Sequence, residues 1–418
     1  AACRRWAKGS ERVKGPANTI VRVVVERPAT LDTLTFGIVR KKITLPAVPY
    51  YGVRDGGVGY IYLQSFTDKA AAEVKEAFID LKKNSHISSL ILDLRSNPGG
   101  ILDEALQIIN YFVPKGTEIL STRGRISQWD KTYKTTQKPL DEKIPLVVLI
   151  NSESASASEI VAGTLQDLDR AVVVGERSFG KGLVQTTLPL GDNTMLKLTT
   201  AKYYIPSGRC IQAIDYSHSQ EGDIRTVPDS LISEFSTRAG RKVYDGGGIM
   251  PDIRTEPEYI SRFAMTLYAM GFIEDFGDEY TRRNPGKTID IRTFSISDQD
   301  YADFAEFMKD KKVPYESDTR RALKALKKAA HEDLYADLKE KFEKVEAELK
   351  DDTRTNLETY REQVIETINN DIVMRHGYQA GVIEHSLPED TEVQRAIGIL
   401  NNPQEYKRIT TEQDTARK

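Results

Sequence analysis

The stretch between Ile144 and Gln185 constrains this chain more than any other. An apolar run, IPLVVLI, ends at Ile150, and small and hydroxyl residues in NSESASASEIVAGTLQDLD then open a helical pattern. A strand that hands over to a helix in this way places a serine beside backbone N–H groups with no intrahelical partner, a position that favours negative charge. A second apolar run, Ala171 to Val174, leads to a Gly180-Lys181-Gly182 turn, after which Leu183 resumes an extended pattern. A serine and a lysine can therefore meet.

Three pairings compete within this stretch. Gly175 to Lys181 fits the GxxxxGK spacing of a phosphate-binding loop, but Gly182 stands where Ser or Thr must reach Mg²⁺, and LVQTTLPL reads as strand rather than helix. Ser178-Phe179-Gly180-Lys181 fits SxxK, a pattern that needs a helical turn, which Gly180 and Gly182 disfavour. The third pairing joins Ser156 to Lys181. A serine hydroxyl is a poor nucleophile until a base takes its proton. The five histidines, His86, His218, His331, His376 and His385, lie outside the stretch, although a triad can assemble from remote segments. Lysine serves as base when desolvation or a nearby cation leaves it neutral. On an extended backbone Lys181, Leu183 and Gln185 point the same way, so Gln185 can orient the amine. Ser156 is equally readable as a helix cap, and Ser152, Ser154 and Ser158 rival it for any special role. Spacing alone does not choose among the four.

Upstream, GYIYLQSF reads as a strand, TDKAAAEVKEAFIDLKK as an amphipathic helix capped by Thr67, and SLILDLRSN as a buried strand, which together make a β-α-β unit. Pro98-Gly99-Gly100 then opens another helix; amides at such a junction can hold an oxyanion, or the glycines can simply serve an αL turn. Residues 116–143 read as an irregular hairpin with a lone Trp129, TMLKLTTAKYYI as a strand, and 213–245 as a surface excursion. Leu323, Leu326, Ala330, Leu334, Leu338, Phe342, Val345 and Leu349 recur at spacings of three and four, one face of a long helix capped by Ser317 or Asp318. Further helices are expected at 355–374 and 392–400. A net charge of −3 over 418 residues makes no electrostatic case for nucleic acid or membrane binding. Cys3 and Cys210 cannot form a disulfide framework, and His376 and His385, without a ligand cluster, read as structural, so no metal or cofactor is expected.

The motifs LDLRSNPGG, SASASEI, GERSFGKGLVQ, YYIPSGRCIQ and GGGIMPDI stand in the order found in the S41 C-terminal processing (tail-specific) peptidases, and the chain resembles that family. HGYQAGVIEHSLPEDTEVQRAIGIL is similar to the tails of Bacteroidetes members. The resemblance implies an α/β core of the crotonase/ClpP-like ββα spiral, a serine endopeptidase with Ser156 as nucleophile, Lys181 as base and Gln185 beside it, and an oxyanion site of the Gly99-Gly100 turn with the amide of Ala157. It does not distinguish Gly99 from Gly100. It further implies that 1–47 is a partial PDZ-like segment without its carboxylate-receiving loop, that 48–258 is the catalytic core, and that 259–418 is helical and serves dimerisation, gating or adaptor docking. Arg209 and Gln212 are assigned to buttressing the active-site strands. Expected partners are polypeptides with unstructured C-terminal segments, and the expected location is the bacterial periplasm or envelope, with no signal peptide in this chain. The competing reading is a silent or latent scaffold that binds protein tails.

Overall fold

The computed structural model describes residues 12–27, 32–192, 194–213, 232–256, 260–332, 338–349 and 352–411. The short helix expected over 1–8 and most of the excursion after 213 lie outside the described residues. Contacts divide the chain into one unit of 45–257 with 387–418 and another of 1–44 with 258–386. The helical region expected over 259–418 is therefore split between the two.

The chain's first strands form an antiparallel hairpin, β1 (Ile20–Glu26) and β2 (Thr33–Val39), in register from Ile20 opposite Val39 to Glu26 opposite Thr33. Their β-branched residues suit a pleated surface. Arg40 closes the open end, donating from Nη1 to Thr19 Oγ1 at 2.9 Å and from Nε to the Val13 carbonyl at 2.7 Å.

The unit of 45–257 with 387–418 begins with β3 (Tyr50–Arg54), β4 (Val58–Tyr62), α1 (Ala70–Asn84), β5 (Ser89–Asp93) and α2 (Leu102–Asn110). There follow β6 (Glu118–Gly124), β7 (Lys131–Lys134), β8 (Leu146–Ile150), α3 (Ala157–Asp167) and β9 (Val172–Gly175). The remaining strands are β10 (Leu183–Gly191), β11 (Thr194–Tyr204), β12 (Glu234–Ser236), β13 (Lys242–Tyr244) and β14 (Ile253–Arg254). Six strands form a sheet in the order β14-β9-β8-β5-β4-β3, parallel except for the β3–β4 pair, and β10-β11-β6-β7 form an antiparallel sheet. This is the expected α/β class. Thr67 does not cap α1; Lys69 holds that position with no side-chain bond, and Glu104 of α2 instead accepts the Ala71 N–H at 2.7 Å.

One face of the parallel sheet, with Ile61, Leu90, Leu92, Leu146, Val148 and Val173, packs into a core shared with α1, α2 and α3. Tyr60, Ile91, Val147, Leu149, Val172 and Val174 alternate with those residues, and all are buried too. A parallel sheet of this kind requires cover on both faces.

The helices of the other unit are α4 (Arg262–Ala269), α5 (Phe272–Arg283), α6 (Asp298–Met308), α7 (Asp318–Glu332), α8 (Lys339–Glu348), α9 (Thr353–Thr359) and α10 (Arg361–Ser386). Phe263, Leu267, Phe276, Phe304, Ile368 and Ile372 form their core. The single long helix expected from 318 to 349 is instead a folded-back pair, because Lys327 of α7 binds Glu346 of α8 at 2.6 Å and Arg320 reaches the Leu349 carbonyl at 2.9 Å. Ser317 does cap its start, accepting the Arg320 N–H at 3.2 Å. His376 and His385 contact backbone carbonyls, Ile372 at 2.9 Å and Ile291 at 2.7 Å respectively.

The chain ends, among the described residues, with α11 (Thr391–Leu400) and α12 (Pro403–Thr411), and α11 lies against β5, β8 and β9. Its Val393, Ala396, Ile397, Ile399 and Leu400 are buried, supplying the second cover. Asp390 caps it through the Val393 N–H at 2.9 Å. Replacing Ile399, fully buried, by Ala should lower the unfolding free energy by about 2–5 kcal/mol. The exposed Leu326→Ala should change it by no more than about 0.5 kcal/mol, both read from denaturant titrations of the full chain.

Candidate active site

The serine-rich run folds as a turn between β8 and α3, and the structure separates its four serines. Ser154 is buried and donates to the Leu94 carbonyl at 2.8 Å, while its oxygen accepts the Asn151 N–H at 3.0 Å. Ser158, also buried, donates to the Asn97 carbonyl at 2.9 Å. Ser152 is exposed. Those two buried hydroxyls are thus spent on stitching the turn to the loop after β5. Ser156 occupies the N-cap of α3 with φ 56° and ψ −111°, a backbone conformation that costs a non-glycine residue about 1–3 kcal/mol. It is partly exposed. Strain of this kind persists where surrounding bonds impose it, and here they are on view.

The principal one comes from Glu159, three residues into the helix and buried. Its Oε2 accepts the Ser156 N–H at 2.7 Å and the Lys181 N–H at 2.8 Å. Its Oε1 accepts the Ser178 hydroxyl at 2.6 Å and the Gly180 N–H at 2.7 Å. The backbone nitrogens of Ser156 and Lys181 therefore lie within about 5.5 Å of one another, the end-to-end length of the 2.7 and 2.8 Å bonds. Burial pushes the Glu159 carboxyl above its ordinary value, and the donors from Ser178, Lys181, Ser156 and Gly180 pull it back only in part. Sequence reasoning missed this residue. Its signal was the spacing of Ser156 and Glu159, which is that of a capping box.

The lysine loop is held on its other side by the segment after β11. Gly180 accepts the Ala213 N–H at 2.9 Å through its carbonyl, and the Gly182 N–H donates to Gln212 Oε1 at 2.8 Å. A Cβ on Gly180 would stand 2.2 Å from that of Ala213, so glycine is required for the approach. Residues 176–182 form no helix, and Ser178, buried under the Ile249 N–H at 2.6 Å, is an anchor of the loop. Both the phosphate-loop and SxxK geometries are thereby absent. The side chains of Lys181 and Gln185 are exposed. Arg209 is fully buried, donating to Gln166 at 2.7 Å and Asp167 at 2.8 Å. Trp129 is partly buried, in a short turn between β6 and β7.

Gly99, with φ 95°, lies against the serine turn, where a Cβ would meet Ala157 N and Ser156 Cβ, each at 2.9 Å. Its N–H is donated to Asn97 Oδ1 at 2.9 Å, and Asn97 is itself fixed by donating to the Leu63 carbonyl at 2.7 Å. The N–H groups of Gly100 and Ala157 make no hydrogen bond among the described residues. Two free amides thus flank a strained serine.

The sequence profile of peptidase family S41 matches residues 57–219, which contain the Gly99-Gly100 turn, Ser156, Glu159, Lys181 and Gln185. Residues 57–219 are a peptidase family S41 domain. A second profile, described as "Probable PDZ-protease, C-terminal helical domain", matches residues 263–400. The chain is 44% identical over 207 residues to the carboxy-terminal-processing protease of Bartonella bacilliformis, covering 49% of this chain and 47% of that one. It is 32% identical over 235 residues to the chloroplastic C-terminal processing peptidase of Tetradesmus obliquus, covering 53% and 50%. It is 36% identical over 200 residues to the "Probable CtpA-like serine protease" of Staphylococcus aureus strain N315, covering 48% and 39%. The chain thus spans about half the length, or less, of the curated relatives it matches.

Glu159→Gln in this S41 domain would turn an amide N–H toward groups that are themselves donors. An unsatisfied buried donor typically costs about 1–3 kcal/mol, so the variant should melt clearly below wild type in a calorimetric scan.

Proposed function

We propose that the chain is a serine endopeptidase that hydrolyses peptide bonds in flexible polypeptide segments, near C-termini, through an acyl-enzyme on Ser156. The observation that carries this reading is the Glu159 carboxylate, which joins the strained Ser156 backbone to the Lys181 backbone. In the proposed reaction Ser156 Oγ attacks the scissile carbonyl carbon while a neutral Lys181 Nζ takes the hydroxyl proton. The amides of Gly100 and Ala157 would receive the oxyanion, each such donor being worth about 2.7–4 kcal/mol in the transition state. Gly99 is assigned a different task, clearance beside the serine, since its N–H is already donated to Asn97. The Lys181 ammonium then gives its proton to the departing amine as the C–N bond breaks; the neutral Lys181 next takes a proton from water, whose oxygen attacks the acyl carbon, and returns it to Ser156 Oγ as the ester C–O bond breaks and the acid leaves. Gln185 is assigned to orienting the lysine.

Lys181 is exposed here, whereas a lysine base must be desolvated or placed near a cation to be neutral at working pH. That favours a second reading for the resting chain, a latent enzyme whose lysine is covered only when a substrate segment lies over it. Residues 258–386 are proposed as the surface for an adaptor or a second copy, and the bacterial periplasm or envelope as the location, by likeness to the bacterial relatives. Among the described residues no helix is long and apolar enough to cross a membrane.

Hydrolysis of casein by the full chain tests the assignment. Ser156→Ala and Lys181→Ala should each lose at least about 10³-fold in rate while remaining folded. Ser178→Ala should melt lower yet retain measurable cleavage. Full activity in Ser156→Ala would sink the reading.

The same assay carries a pH prediction for wild type and Glu159→Gln. Protonating Glu159 removes an acceptor that Ser156 and Lys181 share, and its pKa lies above the ordinary 4.5. Activity should therefore fall on acidification at a higher pH than titration of an ordinary glutamate would give. Glu159→Gln, which has nothing to titrate there, should show a low rate without that acid limb.

A further inference from the structure

The turn that carries Gly99 and Gly100 is gripped from the far end of the chain. Arg95, the second residue after β5, donates from Nε to Asp93 Oδ2 at 3.0 Å and from Nη2 to the same oxygen at 2.6 Å. Nη2 also donates to Asp390 Oδ2 at 2.7 Å, and Nη1 donates to Asp390 Oδ1 at 3.1 Å and to Glu392 Oε2 at 2.7 Å. All five guanidinium N–H groups are used. Asp93 is further held by the Tyr60 hydroxyl at 2.7 Å, and Glu392 accepts the Thr255 hydroxyl. The side chains of Arg95, Asp390 and Glu392 are only 19%, 17% and 12% exposed.

Charge neutralisation does not explain this arrangement, because Asp93 alone balances Arg95. Two further carboxylates are brought out of water, at a desolvation cost that ion pairing in a protein interior often fails to recover. What they add is geometry. Asp390 makes a two-oxygen, two-nitrogen contact that fixes the guanidinium plane, and Glu392 fixes its remaining corner. The backbone following Arg95 is itself strained, with Ser96 at φ 55°, and passes through the buried Asn97 to Gly99 and Gly100.

We propose that Asp390 and Glu392, carried by the start of α11, are positioning residues for the proposed peptidase site, acting through Arg95 to hold the 95–100 turn and hence the Gly100 amide in place. Their effect on turnover rests on the peptidase reading; their effect on the turn does not. Tyr406 provides the control. Its hydroxyl ties α12 to Leu146, accepting the N–H at 3.1 Å, and to the Arg170 carbonyl at 3.3 Å, so it anchors the same terminal segment without touching Arg95.

The test compares full-length Asp390→Asn/Glu392→Gln with Tyr406→Phe and wild type by amide hydrogen exchange. The double variant should exchange about ten-fold faster or more in peptides covering 95–101, while Tyr406→Phe melts lower with that peptide unchanged. An unchanged 95–101 peptide in the double variant, or equal acceleration in Tyr406→Phe, would overturn the proposal. Casein cleavage is the second arm: kcat should fall about ten- to a hundred-fold in the double variant with KM nearly constant, and hold in Tyr406→Phe. A chain that cleaves nothing, in any variant, refutes the peptidase reading and leaves the exchange result to decide the clamp. Cleavage at the wild-type rate by the double variant refutes the clamp and leaves the peptidase reading intact.

Discussion

The candidate site depends on one buried carboxylate. Glu159 gathers the N–H groups of Ser156, Gly180 and Lys181 and the hydroxyl of Ser178, so two loops separated by α3 and β9 close on a common anion. Each partner is a donor, so neither a neutral amide nor a hydrocarbon can substitute. The helix N-terminus also favours negative charge at this spot, which offsets part of the desolvation cost. Helix capping and chemistry are therefore not rival explanations for the serine. Ser156, whose backbone N–H is held by Glu159, takes no part in the carbonyl hydrogen bonds that occupy Ser154 and Ser158.

The second constraint is the parallel sheet. Strands such as LVVLI are buried at every position, and a sheet with no polar face cannot leave one face to water. Helices α1, α2 and α3 cover one side. The sequence between β9 and residue 257 goes largely into antiparallel strands and loops, so the second cover has to come from elsewhere. It comes from α11, whose apolar positions at Val393, Ala396, Ile397 and Leu400 recur at helical spacing. The terminal helices are thus part of the peptidase-domain unit, not of the helical unit that precedes them in sequence.

Much of this was legible from local chemistry. The strands, the glycine-flanked lysine loop and the junction at Gly99-Gly100 follow from periodicity and turn residues, which act over a few positions. The different surroundings of the four serines did not, because those of Ser154 and Ser158 are set by carbonyls of Leu94 and Asn97, far away in sequence. The long helix expected over 318–349 failed for a related reason. Spacings of three and four describe which face is apolar, and two antiparallel helices packed on each other satisfy the same stripe. Glu159 was visible in the capping spacing, but its reach to Gly180 and Lys181 is tertiary.

Rigidity in this unit is unevenly distributed, and the distribution has a chemical logic. The serine turn, the glycine turn and the lysine backbone are each fixed by buried polar contacts, whereas the side chains of Lys181 and Gln185 project from an exposed segment leading into an edge strand. An extended segment laid along β10 would cover the Lys181 side chain while satisfying the strand's open backbone groups. Under the proposed reading, the edge that leaves Lys181 uncovered is therefore also the edge along which a chain to be cleaved would lie.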